Sequence, residues 1–212
     1  MNKLGTFFEL TKSGFMESKL PDSIFSKIKE HTANDIKNNF KGRIPYNNYL
    51  AGQIKHEYFY EEGVDLLLPF VNDLGKEFVS WWDMKLDDRE FTFHHPVGRQ
   101  PSCWINYQQK HEYNPPHNHD GLLSFVIWVN IPYEREKEDG YNNSNVKGSI
   151  SPPDFHMFFP DWVVGIQNHN LQIDKSYEGK IAIFQSHMWH FVGPFTTSDD
   201  YRISISGNLI VE

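Results

Sequence analysis

From Phe91 onward the chain changes period. Upstream, apolar residues recur at helical spacing; downstream they alternate with a period of two through most of the remaining sequence. Residues two apart share one face of a strand. On this pattern FTFHH (91–95), SCWINYQQ (102–109), SFVIWVNI (124–131), FHMFF (155–159), 163–168, KIAIFQ (180–185), 188–192 and YRISISGNLI (201–210) read as strands. Short strands parted by turn signals, in a chain that is 16% aromatic, suggest a sandwich or jelly roll. Residues 1–90 read as a short strand followed by helices. One helix spans Asp22–Phe40, with Ile24, Phe25, Ile28 and Ile36 at partly helical spacing. A second begins near Pro69, which a first turn tolerates, and carries Phe70, Val71, Leu74, Phe78 and Trp81 as one apolar stripe for the sheet. The expected architecture is mainly β (α+β), a jelly roll with N-terminal helices packed on one sheet. The 212 residues fit one domain, with helices in 1–90 and the core in 91–212. The polar stretch 134–154, EREKEDGYNNSNVKGSISPPD, is too long for a hairpin and reads as a lid or a surface excursion.

Charge and cysteine content remove several function classes. Lys plus Arg number 20 and Asp plus Glu 28, so the formal charge of −8 argues against non-specific binding to nucleic acid or anionic membrane. The single cysteine, Cys103, permits neither an intramolecular disulfide nor a thiolate zinc site, and no nucleophile signature surrounds it. No apolar run approaches the roughly 20 residues of a membrane span, and the start lacks the apolar core of a signal peptide. The expected location is cytoplasmic, the host cytoplasm for a virus-encoded chain. G-x-S-x-G, Walker and G-x-G-x-x-G motifs are missing.

Of the 11 histidines, three stand apart. His117 and His119, in PPHNHDG, point the same way at a strand end. His190, in SHMWHFVGPF, lies 73 residues after His117 in another strand-like segment. A non-haem iron centre needs three facial protein ligands and open positions for substrate and oxygen, which two distant strands of a jelly roll would supply. Arg202 and Ser204 share one face of the last strand, and a guanidinium beside a hydroxyl makes a carboxylate receptor. Tyr107, 10 residues before His117, would offer its hydroxyl to the same carboxylate. Trp104, Trp128, Trp189 and Phe191 are candidates either to wall a substrate pocket or to fill the core. His31, His56, His111 and His169 read as solvated, His94 and His95 as part of a turn, and His156 and His187 as lying off the site.

The ordered set in NPPHNHDGLLSFVIWVNIP, IAIFQSHMWHFVGPF and DYRISISGNL resembles the iron(II)/2-oxoglutarate-dependent oxygenases, in particular members found in bacteria and phages, over about residues 101–210. The resemblance implies a double-stranded β-helix, iron(II) at the ends of two strands, and 2-oxoglutarate with its far carboxylate on Arg202, Ser204 and Tyr107. It implies a dioxygenase that hydroxylates a C–H bond of a peptidyl or small-molecule substrate. One departure stands out. The superfamily's usual His-x-Asp or His-x-Glu is here His117-Asn118-His119. Three ligand sets stay open: His117, His119 and His190; His119 and His190 alone; or a set that includes Asp120, turned inward by a bulge. An imidazole in place of a carboxylate leaves the metal centre one charge unit more positive. The alternatives are a three-His dioxygenase of cupin type that needs no 2-oxoglutarate, and a non-catalytic jelly-roll binding or virion protein. A nucleic-acid substrate is disfavoured only by the acidic charge, and a homodimer stays open.

Overall fold

The longest apolar run, Leu123–Asn130, lies in the middle of the molecule, and seven of its eight residues are buried. A strand buried on both faces has no reason to alternate apolar with polar. The computed structural model describes residues 14–82, 84–141, 153–161 and 164–212. Their elements, in chain order, are β1 (Phe15–Lys19), α1 (Asp22–Lys37), β2 (His56–Phe59), α2 (Glu61–Ser80), β3 (Phe91–Phe93), β4 (Cys103–Gln108), β5 (Asn114–His117) and β6 (Leu123–Asn130). There follow α3 (Arg135–Tyr141), β7 (Phe155–Asp161), β8 (Gly165–Leu171), β9 (Lys180–Gln185), β10 (Trp189–Val192) and β11 (Arg202–Val211).

The strands form two antiparallel sheets of a jelly roll, a double-stranded β-helix. The larger has the order β1-β9-β6-β11-β4-β2, with β3 also on β11, and the smaller runs β5-β10-β7-β8. Period two divides the large sheet into two chemistries. Ile105, Ile127, Ile183 and Ile205 point outward and pack with Ile28, Leu67 and Val71 of α1 and α2. Trp128, Ala182 and Phe184 point inward and pack with Phe155 and Leu171 of the small sheet. The helices are also tied to the sheet by charge. Arg43 Nε donates to Asp35 at 2.7 Å, Arg43 Nη1 donates to Glu62 at 2.5 Å, and the Tyr107 hydroxyl donates to Asp35.

The structure moves several expected boundaries. α1 stops at Lys37 rather than Phe40, because Asn39 and Phe40 take positive φ values of 50° and 58° and turn the chain. α2 starts at Glu61, and Pro69 lies inside it rather than at its start. Pro69 and Asp65 are both exposed, so the carbonyl that loses its helical donor has access to water. β2 was not expected as a strand, and β5 was expected only as a strand end at the histidine pair, without bounds. β5 contains Pro115 and Pro116, and it is tolerated because it forms an edge of the small sheet. The stretch 134–154 contains α3, while 142–152 lies outside the described residues. The expected strand 163–168 is β8, from Gly165; residue 163 lies outside the described residues.

Candidate active site

β5 and β10 run antiparallel, and their register sets His117 directly across from His190. His119 follows β5, held by its backbone N–H, which donates to the Ser186 carbonyl at 2.9 Å. Gly121, at φ +103°, then turns the chain away in a conformation that side chains rarely adopt. The three imidazoles converge: ring centroids are 4.8 Å apart for His117–His119, 4.3 Å for His117–His190 and 5.1 Å for His119–His190. One ligand atom from each lies within 4.8 Å of the others.

Backbone carbonyls orient two of the rings. His117 Nδ1 is 2.6 Å from the Pro115 carbonyl and His190 Nδ1 is 2.9 Å from the Met188 carbonyl. A carbonyl only accepts, so each Nδ1 carries the proton and each Nε2 keeps a lone pair, the arrangement typical of a metal-bound histidine. Burial lowers the pKa of all three. His119 falls to about 3, through desolvation and then its neighbour His117, and His190 lies well below the usual histidine range. The rings are therefore neutral at pH 7 and able to ligate. Three neutral imidazoles on one point, with no acid among them, fit a divalent transition metal. Asp120 is exposed and lies outside this cluster.

Arg202 is the second centre. It is 4% exposed, its guanidinium lies over the Phe195 and Tyr133 rings at 5.4 and 5.9 Å, and among the described residues each of its hydrogen bonds is to a neutral oxygen. Nε and Nη2 donate to Gln108 Oε1 at 3.0 and 2.7 Å, Nη2 also to the Gly193 carbonyl at 2.6 Å, and Nη1 to the Pro153 carbonyl at 2.9 Å and the Tyr133 hydroxyl at 3.4 Å. Among the described residues no carboxylate pairs with it. A buried guanidinium without an anion is costly, so the surroundings fit a carboxylate ligand. The cavity beside the imidazoles, about 490 Å³ including its mouth, adjoins one of about 330 Å³ beside Arg202; Asn114, Val126, Phe155, Val192 and Ser204 line both.

The remaining expected site residues divide. Ser204 lies between the two centres and accepts from Asn106 Nδ2 at 3.3 Å. Trp104 walls the imidazole cavity, its ring 5.4 Å from His119, and Trp128 walls the cavity at Arg202. Tyr107 is not brought to the site. On β4 the inward positions are Trp104, Asn106 and Gln108, so Tyr107 faces the helices and donates to Asp35 instead. Trp189 adjoins His190 on its strand, so it points the other way and is 52% exposed. Phe191 likewise lies outside, stacked on His156 at 4.2 Å.

The sequence reading missed the groups that hold Arg202. Gln108 is its cross-strand partner. Tyr133 immediately precedes the polar stretch and Pro153 lies near its end, and contacts from α3 fix this region. Arg135 forms a bidentate pair with the fully buried Asp154, and Glu138 accepts from the backbone and hydroxyls of Thr196 and Thr197. Gln108 could have been found by extending the parity of Trp104 and Asn106 by one step. The Tyr133 and Pro153 contacts have no local sequence signal.

Residues 102–208, half of the chain, match a sequence-family profile described as "Putative 2OG-Fe(II) oxygenase". Solved structures share the fold. A Pseudomonas putida prolyl-4-hydroxylase is similar at 15% identity and TM-score 0.56, over 93% of this chain and 92% of that one. A Trichoplax adhaerens prolyl hydroxylase, in complex with a hypoxia inducible factor oxygen degradation domain peptide fragment, is similar at 13% identity and TM-score 0.54, over 93% and 84%. No curated protein matches the chain at a significant level. The matched segment contains all three converging histidines and Arg202, and the chain belongs to the 2-oxoglutarate/iron(II) oxygenase family, a hydroxylase-like dioxygenase whose cofactors are iron(II) and 2-oxoglutarate.

Proposed function

We propose that the chain hydroxylates a C–H bond of a peptidyl or small-molecule substrate, with iron(II) on His117, His119 and His190 and the far carboxylate of 2-oxoglutarate on Arg202 and Ser204. The observation that carries this reading is the pairing of the two centres: three neutral imidazoles converging at one cavity, and a buried, anion-free guanidinium at the cavity adjoining it. With dioxygen, iron(II) and 2-oxoglutarate supply the oxidising power that turns C–H into C–OH and release succinate and carbon dioxide. The protein's own residues do the rest. Pro115 and Met188 hold the tautomers of His117 and His190. Gln108, Tyr133, Pro153 and Gly193 hold the guanidinium plane in place. Trp104, Phe155 and Phe184 supply the apolar part of the cavity wall beside the imidazoles. We propose further that helices and jelly roll work as one domain. Among the described residues no helix is long and apolar enough to cross a membrane.

Anaerobic addition of iron(II) and 2-oxoglutarate to the purified protein tests this. A weak visible charge-transfer band is expected, with slow succinate release once oxygen is admitted, and Arg202→Ala is expected to lose both. The all-imidazole donor set favours one second reading, a dioxygenase that needs no 2-oxoglutarate and uses Arg202 for a substrate carboxylate. Iron binding that is indifferent to 2-oxoglutarate would establish that reading in place of the first.

A further inference from the structure

The imidazole cavity contains two buried oxygens without partners. Glu57 on β2 and Asn106 on β4 are directly opposed in register, are 1% and 3% exposed, and both line the cavity. Asn106 Nδ2 donates to Ser204 Oγ at 3.3 Å, and Glu57 Oε2 accepts from Asn47 Nδ2 at 3.3 Å. Asn106 Oδ1 and Glu57 Oε1 are left with no hydrogen bond. Buried polar atoms in folded proteins are nearly always satisfied, so two orphans side by side in a cavity wall point to a ligand.

The space at Glu57 is kept open by residue 52. A Cβ on Gly52 would lie 2.5 Å from Glu57 Oε1 and 2.5 Å from Asn114 Oδ1. The loop that covers the carboxyl therefore comes this close only because residue 52 is glycine. Neither carboxylate of 2-oxoglutarate suits the pair, because each brings only acceptor oxygens. Burial, and then the neighbouring Glu112, push the Glu57 carboxyl up to about 8. Near neutrality the unpaired carboxyl is therefore mostly protonated, and a cationic N–H donor seated beside it would favour its ionised, accepting form.

We propose that Glu57 and Asn106 recognise the substrate through a nitrogen group with at least two N–H donors, an amine or a primary amide, seated beside the three imidazoles. A hydroxyl brings one donor and satisfies one orphan; a carboxylate brings none. This rests on the cavity being the site of an iron(II)/2-oxoglutarate oxygenase, and it adds the chemical class of the substrate group that docks there.

The test uses the full chain loaded with iron(II) and 2-oxoglutarate without oxygen. The visible band reports cofactor loading, and ligand-observed NMR titrates four probes of one length: n-butylamine, butyramide, n-butanol and butyrate. The amine and the amide are expected to bind at least tenfold more tightly than the alcohol or the acid. Glu57→Met and Asn106→Ala are each expected to erase that margin, and Glu57→Met to keep the band. Gly52→Ala, which crowds Glu57 from the covering loop, is expected to erase it too, and it serves where Glu57→Met does not fold. Equal binding of the four probes, or variants that bind butylamine like the wild type, would overturn the proposal. So would loss of the band in Glu57→Met, which would assign the carboxyl to the cofactors. Absence of the band from the wild type instead overturns the cofactor reading itself.

Discussion

The two faces of the large sheet come from the same strands, one residue out of phase, and they follow opposite rules. Outward, Ile105, Ile127 and Ile205 are fully buried under the helices, where any apolar residue of the right volume serves. Inward, the neighbouring positions are Asn106, Trp128 and Ser204, and along the same face lie Gln108, Ser124, Arg202 and Asn208, most of them equally buried. Burying so many polar side chains lowers stability unless each finds a partner. Some are partnered internally: Ser124 Oγ donates to Asn208 Oδ1 at 2.8 Å. Others point at a cavity. One face is built for stability, and the other keeps chemistry open at a cost in stability.

That contrast breaks or sharpens under substitution. The largest effect is expected from His190→Ala, which removes the imidazole that lies 4.3 and 5.1 Å from the rings of His117 and His119. Iron retention, measured by metal analysis after gel filtration, is expected to fall at least a hundredfold, while the metal-free protein still unfolds in one cooperative urea transition. Next, Ile127→Ala on the outer face is expected to cost about 3 kcal/mol by urea unfolding, with iron retained. A loss of iron without a loss of stability would mean that the faces are not separable. Third, wild-type protein with 2-oxoglutarate at a hundred times its Kd is expected to gain about 2.7 kcal/mol by linkage, and Arg202→Ala nothing, as read by thermal shift.

A smaller effect concerns pH. The pKa of His119 falls from 6.5 in the open chain to about 3 in the fold. Below about 6.5 the unfolded state therefore binds protons that the folded state refuses, and stability falls with falling pH. Metal-free wild type is expected to lose stability progressively from pH 6.5 toward 3, and His119→Ala to lose less over the same window, in urea melts across that range. The smallest effect is expected from Ser206→Ala on the inner face, within about 0.5 kcal/mol of wild type.

The convergence of His117, His119 and His190 was legible because they need only strand parity and an antiparallel return to meet. Arg202 was legible because a cation in the middle of an apolar strand demands an explanation. Tyr107 was misjudged because Trp104 places an aromatic on the otherwise polar face of Asn106 and Gln108, which blurs the phase that would have put Tyr107 with Cys103 and Ile105. Trp189 failed the other way, since adjacency to His190 is itself the argument for the opposite face. β5 showed only as a strand end at the histidine pair, because Pro115 and Pro116 signal against a strand and only its edge position excuses them. Glu57 carried no signal at all, because its meaning depends on a cross-strand neighbour 49 positions away, from 57 to 106.

The pairing of His117 with His190 has a mechanical side. β5 has two prolines that donate nothing to its ladder, and its register with β10 rests on the pairs His190–His117 and Val192–Asn114, with a shift between them. A metal held by both strands would act as a rivet through a weak seam. Loading the cofactor and closing the edge of the small sheet then become one event, and limited proteolysis between Tyr113 and Asn118 would serve as a gauge of occupancy that needs no substrate.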